Sequence, residues 1–434
     1  MIAYSNHGYG LAGYLVEMAS GVPYAQYIEE KILAPLGMTR STARIPLPAQ
    51  LAPDLAVGYG YDFRRDRLEP QPLGYRNLPP AGSVSATGSD MVRFLVDQLR
   101  RGGERHRRQF THHPRLPGFA YGLYESDRNG RRALEHAGDY GGFSALVYLL
   151  PDQNLGLFLA ANALSGGFRE AVLRAFLDRY YPAAAPAPPT PRRVSAAARL
   201  FAGSYHPNRY SRRSVEKIAI WDGTYQLEAA DEGRLALRPA RGPSSRWVEA
   251  EPLLFQREDG QGYLALREEQ GARYLFFSSP GGGWPLALEK LSWLDDVYWQ
   301  RPILLSMMGV FFSSLTIWPL AALLRGRRRP GLPALAAAVD ALAGFAFMLG
   351  VDTWIGNSGY RLRLVYGMTP EMVALLWLPI LMVPLTLLLV LFAARAWRRR
   401  QWSFAGRLYY SLTSITAVAF LAFLLQWNLL GFRY

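Results

Sequence analysis

Four apolar runs fill most of the last third of the chain: Ile303 to Leu324, Leu332 to Val351, Met372 to Ala394 and Leu408 to Leu430. Each is long enough, at about 1.5 Å per residue, to cross about 30 Å of hydrocarbon. Before them the pattern changes to shorter, mixed elements. Helical spacing of Leu11, Ala12, Leu15, Met18 and Ala19 predicts a helix after Asn6 that stops at Gly21. A second short helix is predicted after Pro23, with Tyr24, Tyr27, Ile28 and Ile32 on one side and Pro35 at its end. The loop Pro79 to Thr87 leads to Ser89 or Asp90 as the N-cap of a helix from Met91 to Leu99. The Arg- and His-rich stretch Gly102 to Pro117 reads as an exposed, mobile insertion. Two strands follow, Phe143 to Leu150 and Leu155 to Ala160, joined by a Pro151–Asn154 turn.

A Pro/Ala tract, Pro182 to Pro191, packs poorly and marks a linker over 182–195. Residues 196–298 alternate short apolar runs with turn dipeptides such as Asp222-Gly223 and Asp259-Gly260, the pattern of a small antiparallel β domain. The expected class is therefore α+β, in three parts: a mixed domain over 1–181, the β domain, and a membrane domain over 299–434.

Charge changes the picture in one respect. The formal net charge of +14 would suit a nucleic-acid partner, but part of it lies in arginine clusters beside the apolar runs. Arg325, Arg327, Arg328 and Arg329 follow the first run, and Arg395, Arg398, Arg399, Arg400 and Arg407 follow the third. Only Arg361 and Arg363 follow the second. The partner expected from this is a lipid bilayer, and the positive-inside rule puts residues 1 to about 300 on the extracytoplasmic side. With no cysteine, the chain has no disulfide, thiolate nucleophile or Cys-ligated metal. His106, His112 and His113 lie in the insertion without nearby carboxylates, so a solvated loop is expected there and no metal or cofactor. Asp340 sits inside the second apolar run, where a charge is costly.

The chemistry is carried by Tyr4-Ser5-Asn6, its surroundings Gly8-Tyr9, Gly13, Glu17, Ser20-Gly21 and Pro35-Leu36-Gly37-Met38, and by His136-Ala137-Gly138 ahead of Asp139-Tyr140-Gly141-Gly142-Phe143. Together these resemble the Tyr-x-Asn and Lys-Thr-Gly or His-x-Gly motifs of the serine β-lactamase and penicillin-binding-protein superfamily, in the branch of class C β-lactamases, D-amino-acid peptidases and esterases. The resemblance covers residues 1 to about 165. More faintly, Leu200-Phe201-Ala202-Gly203-Ser204-Tyr205 is similar to the lipocalin-like barrel appended to some members.

The resemblance implies an acyl-enzyme serine hydrolase of peptide, amide or ester bonds. Tyr4 shuttles a proton between nucleophile and leaving group, Asn6 positions the substrate, and His136 holds a substrate carboxylate or assists the relay. Gly138 lets substrate approach the backbone, and the Asp139 N–H contributes to the oxyanion hole. A phenol, with an ordinary pKa of about 10, needs a neighbouring positive charge to act as a base near neutrality. In the family a Ser-x-x-Lys helix supplies that charge and the nucleophile, and it precedes the Tyr-x-Asn motif. Here only Met1, Ile2 and Ala3 precede Tyr4, and the sole Ser-x-x-Lys is Ser214-Val215-Glu216-Lys217. Ile218, Ile220, Trp221 and an Asp222-Gly223 turn follow it and predict a strand and hairpin, so it reads as a decoy. The expectation is an exported hydrolase whose nucleophile segment lies upstream of these residues. The alternatives are an inactive relic or ligand-binding membrane protein, and a transporter or sensor whose core is the helical region.

Overall fold

The computed structural model describes residues 1–62, 65–75, 77–163, 166–183, 194–230, 233–240, 242–278, 285–324, 331–356 and 368–433. Most of the expected linker (184–193) lies outside the described residues, as do Arg325, Arg327, Arg328, Arg329, Arg361 and Arg363. The chain divides into two compact units: Met1–Gly203 with Gln226–Arg238 and Gly242–Lys290, and Ser204–Tyr225 with Pro239–Arg241 and Leu291–Tyr434.

In the first unit, helix α1 (Asn6–Ser20) begins where Ser5 Oγ accepts the Gly8 N–H at 3.1 Å. It ends at Gly21, whose φ of 69° lets its N–H reach the Glu17 carbonyl at 2.9 Å. Its packed side is the glycine side. A Cβ on Gly10 would lie 2.4 Å from Leu78 Cδ1, and one on Gly13 would lie 2.1 Å from Pro80 Cγ. The apolar stripe that predicts the helix, Leu11, Leu15 and Met18, is exposed instead, together with Tyr14. Helix α2 (Tyr24–Ile28) runs on as a π-turn to Leu33, and a hairpin of β1 (Gly58–Asp62) and β2 (Arg67–Gln71) follows.

Helix α3 (Gly88–Arg101) starts three residues earlier than predicted. Thr87, not Ser89 or Asp90, is its N-cap, with Thr87 Oγ1 accepting the Asp90 N–H at 3.2 Å. Asp90 is buried because its carboxylate has other partners: the Arg40 N–H at 2.9 Å and Ser41 Oγ at 2.8 Å. An antiparallel sheet of β3 (Tyr124–Arg128), β4 (Arg131–Tyr140), β5 (Phe143–Leu150) and β6 (Leu155–Ala161) then forms in sequence order. Alternation along the strands gives it two apolar faces. Leu134 and Leu149 pack with Leu95 of α3 on one face, while Ala133, Leu146 and Tyr148 pack with Leu173 and Leu177 of α4 (Gly166–Tyr180) on the other.

After α5 (Ala196–Arg199), eight strands form a closed barrel: β7 (Gly203–Pro207), β8 (Tyr225–Ala230), β9 (Arg234–Pro239), β10 (Ser245–Glu251), β11 (Leu254–Arg257), β12 (Tyr263–Glu269), β13 (Ala272–Ser278) and β14 (Pro285–Lys290). Each strand neighbours the next and the last neighbours the first. The Gly102–Pro117 stretch is largely exposed, as expected, but it is anchored by buried residues. Leu116 is 3% exposed in a cluster with Leu254, Ala265, Phe276 and Ala287. His112, 7% exposed, stacks on Phe276 with ring centroids 4.1 Å apart, and His106 is buried as well. A composition rich in Arg and His hid one leucine and one imidazole placed to cover a barrel face.

Among the described residues the second unit holds four helices long and apolar enough to cross a membrane: α6 (Val297–Leu324), α7 (Leu332–Gly356), α8 (Pro370–Arg398) and α9 (Phe404–Gln426). Helix α9 is set four residues earlier than its hydrophobic run because Ser403 caps it, accepting the Gly406 N–H at 3.1 Å. The strand and hairpin expected after Ser214 are instead a 3-10 helix, Val215–Asp222. Contacts at the end of α9 fix it there. The Val215 N–H donates to the Arg433 carbonyl at 2.7 Å, and Asn428 Nδ2 donates to the Ser214 carbonyl at 3.1 Å. Trp221 packs edge-on to Trp427 at 5.6 Å.

Candidate active site

Tyr4 immediately precedes the cap of α1, and His136 lies in β4; the fold of the first unit brings them together. Their ring centroids are 6.1 Å apart. Two further phenols complete an aromatic cluster. Tyr9, one turn into α1, stands 5.6 Å from Tyr4 and 6.3 Å from His136, edge-on to the imidazole. Tyr124, at the start of β3, stands 5.8 Å from His136, and its hydroxyl accepts the Ala137 N–H at 3.1 Å. Asn6 is the first residue of α1 and is half-buried.

Burial pushes the His136 imidazole below its ordinary range, an effect partly offset by a hydrogen bond with the Ala137 backbone. At neutral pH the ring is therefore uncharged: it can donate one hydrogen bond and accept another, but offers no positive charge to a carboxylate. Burial, and then the neighbouring Tyr4, push the Tyr9 hydroxyl up. Tyr124 is pushed up as well, by burial first and by Glu135 second.

The edge of β4 is open where the chemistry is expected. Strand β3 pairs only with Arg131 to Glu135, its last register partners being Tyr124 and Glu135. Among the described residues no strand continues along that edge past His136, while β5 covers the other edge through Tyr140. The N–H groups of residues two apart in a strand point the same way. Since the Ala137 N–H points to Tyr124, the Asp139 N–H points to the same strand-free side. Gly138 is exposed and a Cβ there would meet nothing within 4 Å, so the space above it is empty.

The Asp139 side chain is held on the opposite side. Its Oδ1 accepts from Ser144 Oγ at 2.5 Å and from Arg169 Nη1 of α4 at 2.9 Å. At the end of β4, Gly141 and Gly142 turn the chain with φ of 55° and 83°. The Gly142 carbonyl accepts the Tyr59 N–H at 3.3 Å, and a Cβ on Gly142 would lie 2.6 Å from that nitrogen. Glycine at 142 thus lets β1 close against the hairpin that carries His136, Gly138 and Asp139.

Neither member of the Ser214–Lys217 tetrad is free. Ser214 Oγ bonds Ser211 Oγ at 2.7 Å, and Lys217 Nζ bonds Asp295 at 2.8 Å and the Gln426 carbonyl at 2.9 Å. Among the described residues no group of three or more His, Cys, Asp or Glu is placed to hold a metal. Three members of the constellation escaped sequence reasoning as site residues. Tyr9 stood in the motif, but only as part of its signature. Tyr124 meets His136 through strand register, and Arg169 meets Asp139 from a helix on another element; neither carries a local signal.

The Tyr-x-Asn start of α1 and the His-x-Gly run of β4 thus lie together beside a four-stranded antiparallel sheet. Residues 1–180 match the family model described as Beta-lactamase, which places this part of the chain in the serine β-lactamase and penicillin-binding-protein-like superfamily. It is similar to the Escherichia coli K12 D-alanyl-D-alanine-carboxypeptidase/endopeptidase AmpH, 29% identical over 181 residues that cover 37% of this chain and 45% of that protein. It is also similar to penicillin-binding protein 4* of Bacillus subtilis strain 168, 27% identical over 192 residues covering 40% of this chain and 42% of that protein. The chain thus spans less than half the length of these relatives. A solved penicillin-binding protein homologue from Pyrococcus abyssi aligns over 67% of this chain and 65% of its own at 19% identity, with a TM-score of 0.37, too distant a likeness to bear on the site.

Proposed function

We propose that residues 1–180 supply the proton-relay and substrate-edge half of a serine hydrolase site that opens peptide, amide or ester bonds through an acyl-enzyme. The observation that carries this reading is the approach of Tyr4 and His136, far apart in sequence within the matched region yet with ring centroids 6.1 Å apart. Tyr4 carries the proton between nucleophile and leaving group, and Asn6 orients the substrate amide. The neutral His136 acts as a hydrogen-bonding partner in the relay rather than a carboxylate clamp. The Asp139 N–H on the open edge of β4 is one oxyanion donor, and the empty space over Gly138 admits the acyl chain. The second donor and the attacking hydroxyl belong to a Ser-x-x-Lys segment outside residues 1–434, because Ser214 and Lys217 are engaged elsewhere.

The substrate class we favour is a short peptide ending in D-alanine, in keeping with the D-alanyl-D-alanine specificity in the relative's name. The up-and-down order of the barrel supports its reading as a lipocalin-like module. The four apolar helices anchor the enzyme in the bilayer. The arginines around the turn after α8 face the cytoplasm, which leaves residues 1 to about 300 outside.

The test uses the native gene product with its in-frame upstream sequence, assayed on a D-alanyl-D-alanine peptide and on a nitrophenyl ester. Tyr4→Phe is expected to lower kcat by about 10²- to 10⁴-fold, the range for loss of general acid–base catalysis. Turnover unchanged in Tyr4→Phe would remove Tyr4 from the relay and this reading with it.

A further inference from the structure

The helical unit contains one carboxyl group that the hydrolase reading does not use. Asp340 is the ninth residue of α7, about 12 Å along the helix from Leu332 at about 1.5 Å per residue. It is 1% exposed within the bundle. Among the described residues its one hydrogen-bond partner is Thr386 Oγ1 of α8, donating to Oδ1 across a long 3.4 Å. Among the described residues Oδ2 is buried with no partner at all.

A bare carboxylate in such a place is costly: it needs a counter-charge or several hydrogen-bond donors. The sequence supplies no cation nearby, and among the described residues only Thr386 donates to the carboxyl. Between Ile303 and Leu324, Leu332 and Gly356, Pro370 and Ala394, and Leu408 and Gln426 there is no Lys, Arg or His. The groups around Asp340 are neutral. Thr386 faces it from α8, and Tyr410 of α9 lies within electrostatic range with its hydroxyl donated to the Pro333 carbonyl at 3.0 Å. The facing stretch of α6, Val310 to Leu324, has no titratable side chain. An alkali cation wants a shell of oxygens, and the carboxyl and Thr386 make only a fraction of one. A proton needs a single oxygen, and the orphaned Oδ2 is that oxygen.

We propose that Asp340 is a proton-binding site at the heart of the helical unit, so that this unit is more than an anchor. The proton sits on Oδ2, and the Thr386 hydroxyl donates to Oδ1. This stands independently of the catalytic reading, since it uses no residue of the first unit.

The experiment takes the full chain in detergent micelles or nanodiscs at neutral pH and treats it with dicyclohexylcarbodiimide, which modifies protonated carboxyls in apolar surroundings. Peptide mapping locates the adduct, and an infrared difference between wild type and Asp340→Asn reads the protonated carboxyl directly. The expected result is an Asp340 adduct unaffected by replacing choline with sodium, and a protonated-carboxyl band that Asp340→Asn abolishes. The band without an adduct also supports the proposal, with Asp340 simply out of the reagent's reach. Sodium-dependent protection of Asp340 would overturn it in favour of an alkali-cation site. Absence of both adduct and band would overturn it in favour of an ionised carboxylate.

Discussion

Small residues do as much to build this site as the reactive ones. Gly142 has a φ of 83° and its backbone lies against Tyr59, so it meets two constraints that only glycine satisfies together. Gly142→Ala is expected to destabilise the first unit by about 2 kcal/mol, from left-handed strain and from the approach to the Tyr59 nitrogen. Hydrogen exchange of the β4–β5 hairpin amides along a denaturant series would show it, and unchanged protection would mean that the hairpin and β1 are not held as described. Beneath the hairpin, Arg128, itself buried, is wedged between Glu135 at 3.4 Å and Glu170 at 2.5 Å. This pairing neutralises a carboxylate on the same strand as His136, one residue away.

At the scale of elements, the docking of the Gly102–Pro117 segment on the barrel turns on His112. Burial first, and Arg267 second, lower its imidazole to about 4, and neither ring nitrogen has a partner among the described residues. The unfolded chain holds its imidazole at about 6.5. Above that value both states are neutral and the packing is fully present. As pH falls from about 6.5 through about 4, the unfolded state takes up the proton first, so stability falls across that window by about 3 kcal/mol. Replacing the ring in His112→Phe keeps the stack on Phe276 and removes the proton uptake. The gap in melting temperature between the variant and wild type should therefore widen from pH 7 to pH 4. Parallel pH profiles would contradict the docking described for this segment.

Much of this architecture was legible before any coordinates. Four long apolar runs could only be long helices, and Asn6 with Gly21 bracketed α1 because a start and a left-handed stop both leave residue-level marks. What was not legible depended on partners distant in sequence. The stripe Leu11, Leu15 and Met18 has the right period for packing, yet the packed side is Gly10 and Gly13, which only the position of Leu78 and Pro80 reveals. The residues after Ser214 have strand-like alternation, but the end of α9 captures them as a 3-10 helix. At the site, motif residues could be named and their neighbours could not: Tyr124 and Arg169 enter through register and helix packing.

The whole molecule carries a β-lactamase-like region, a closed barrel and, among the described residues, four apolar helices in one chain. On the function proposed, Tyr4, Asn6 and His136 serve a nucleophile carried on a Ser-x-x-Lys segment, outside the cytoplasm. The most direct test applies a membrane-impermeant fluorescent penicillin to intact cells making the native gene product, and maps the modified serine by mass spectrometry. The expected result is a single adduct on the serine of an upstream Ser-x-x-Lys, formed in intact cells and slowed in Tyr4→Phe, with residues 1–434 alone unlabelled. An adduct on Ser214, or labelling only after the cells are opened, would contradict it.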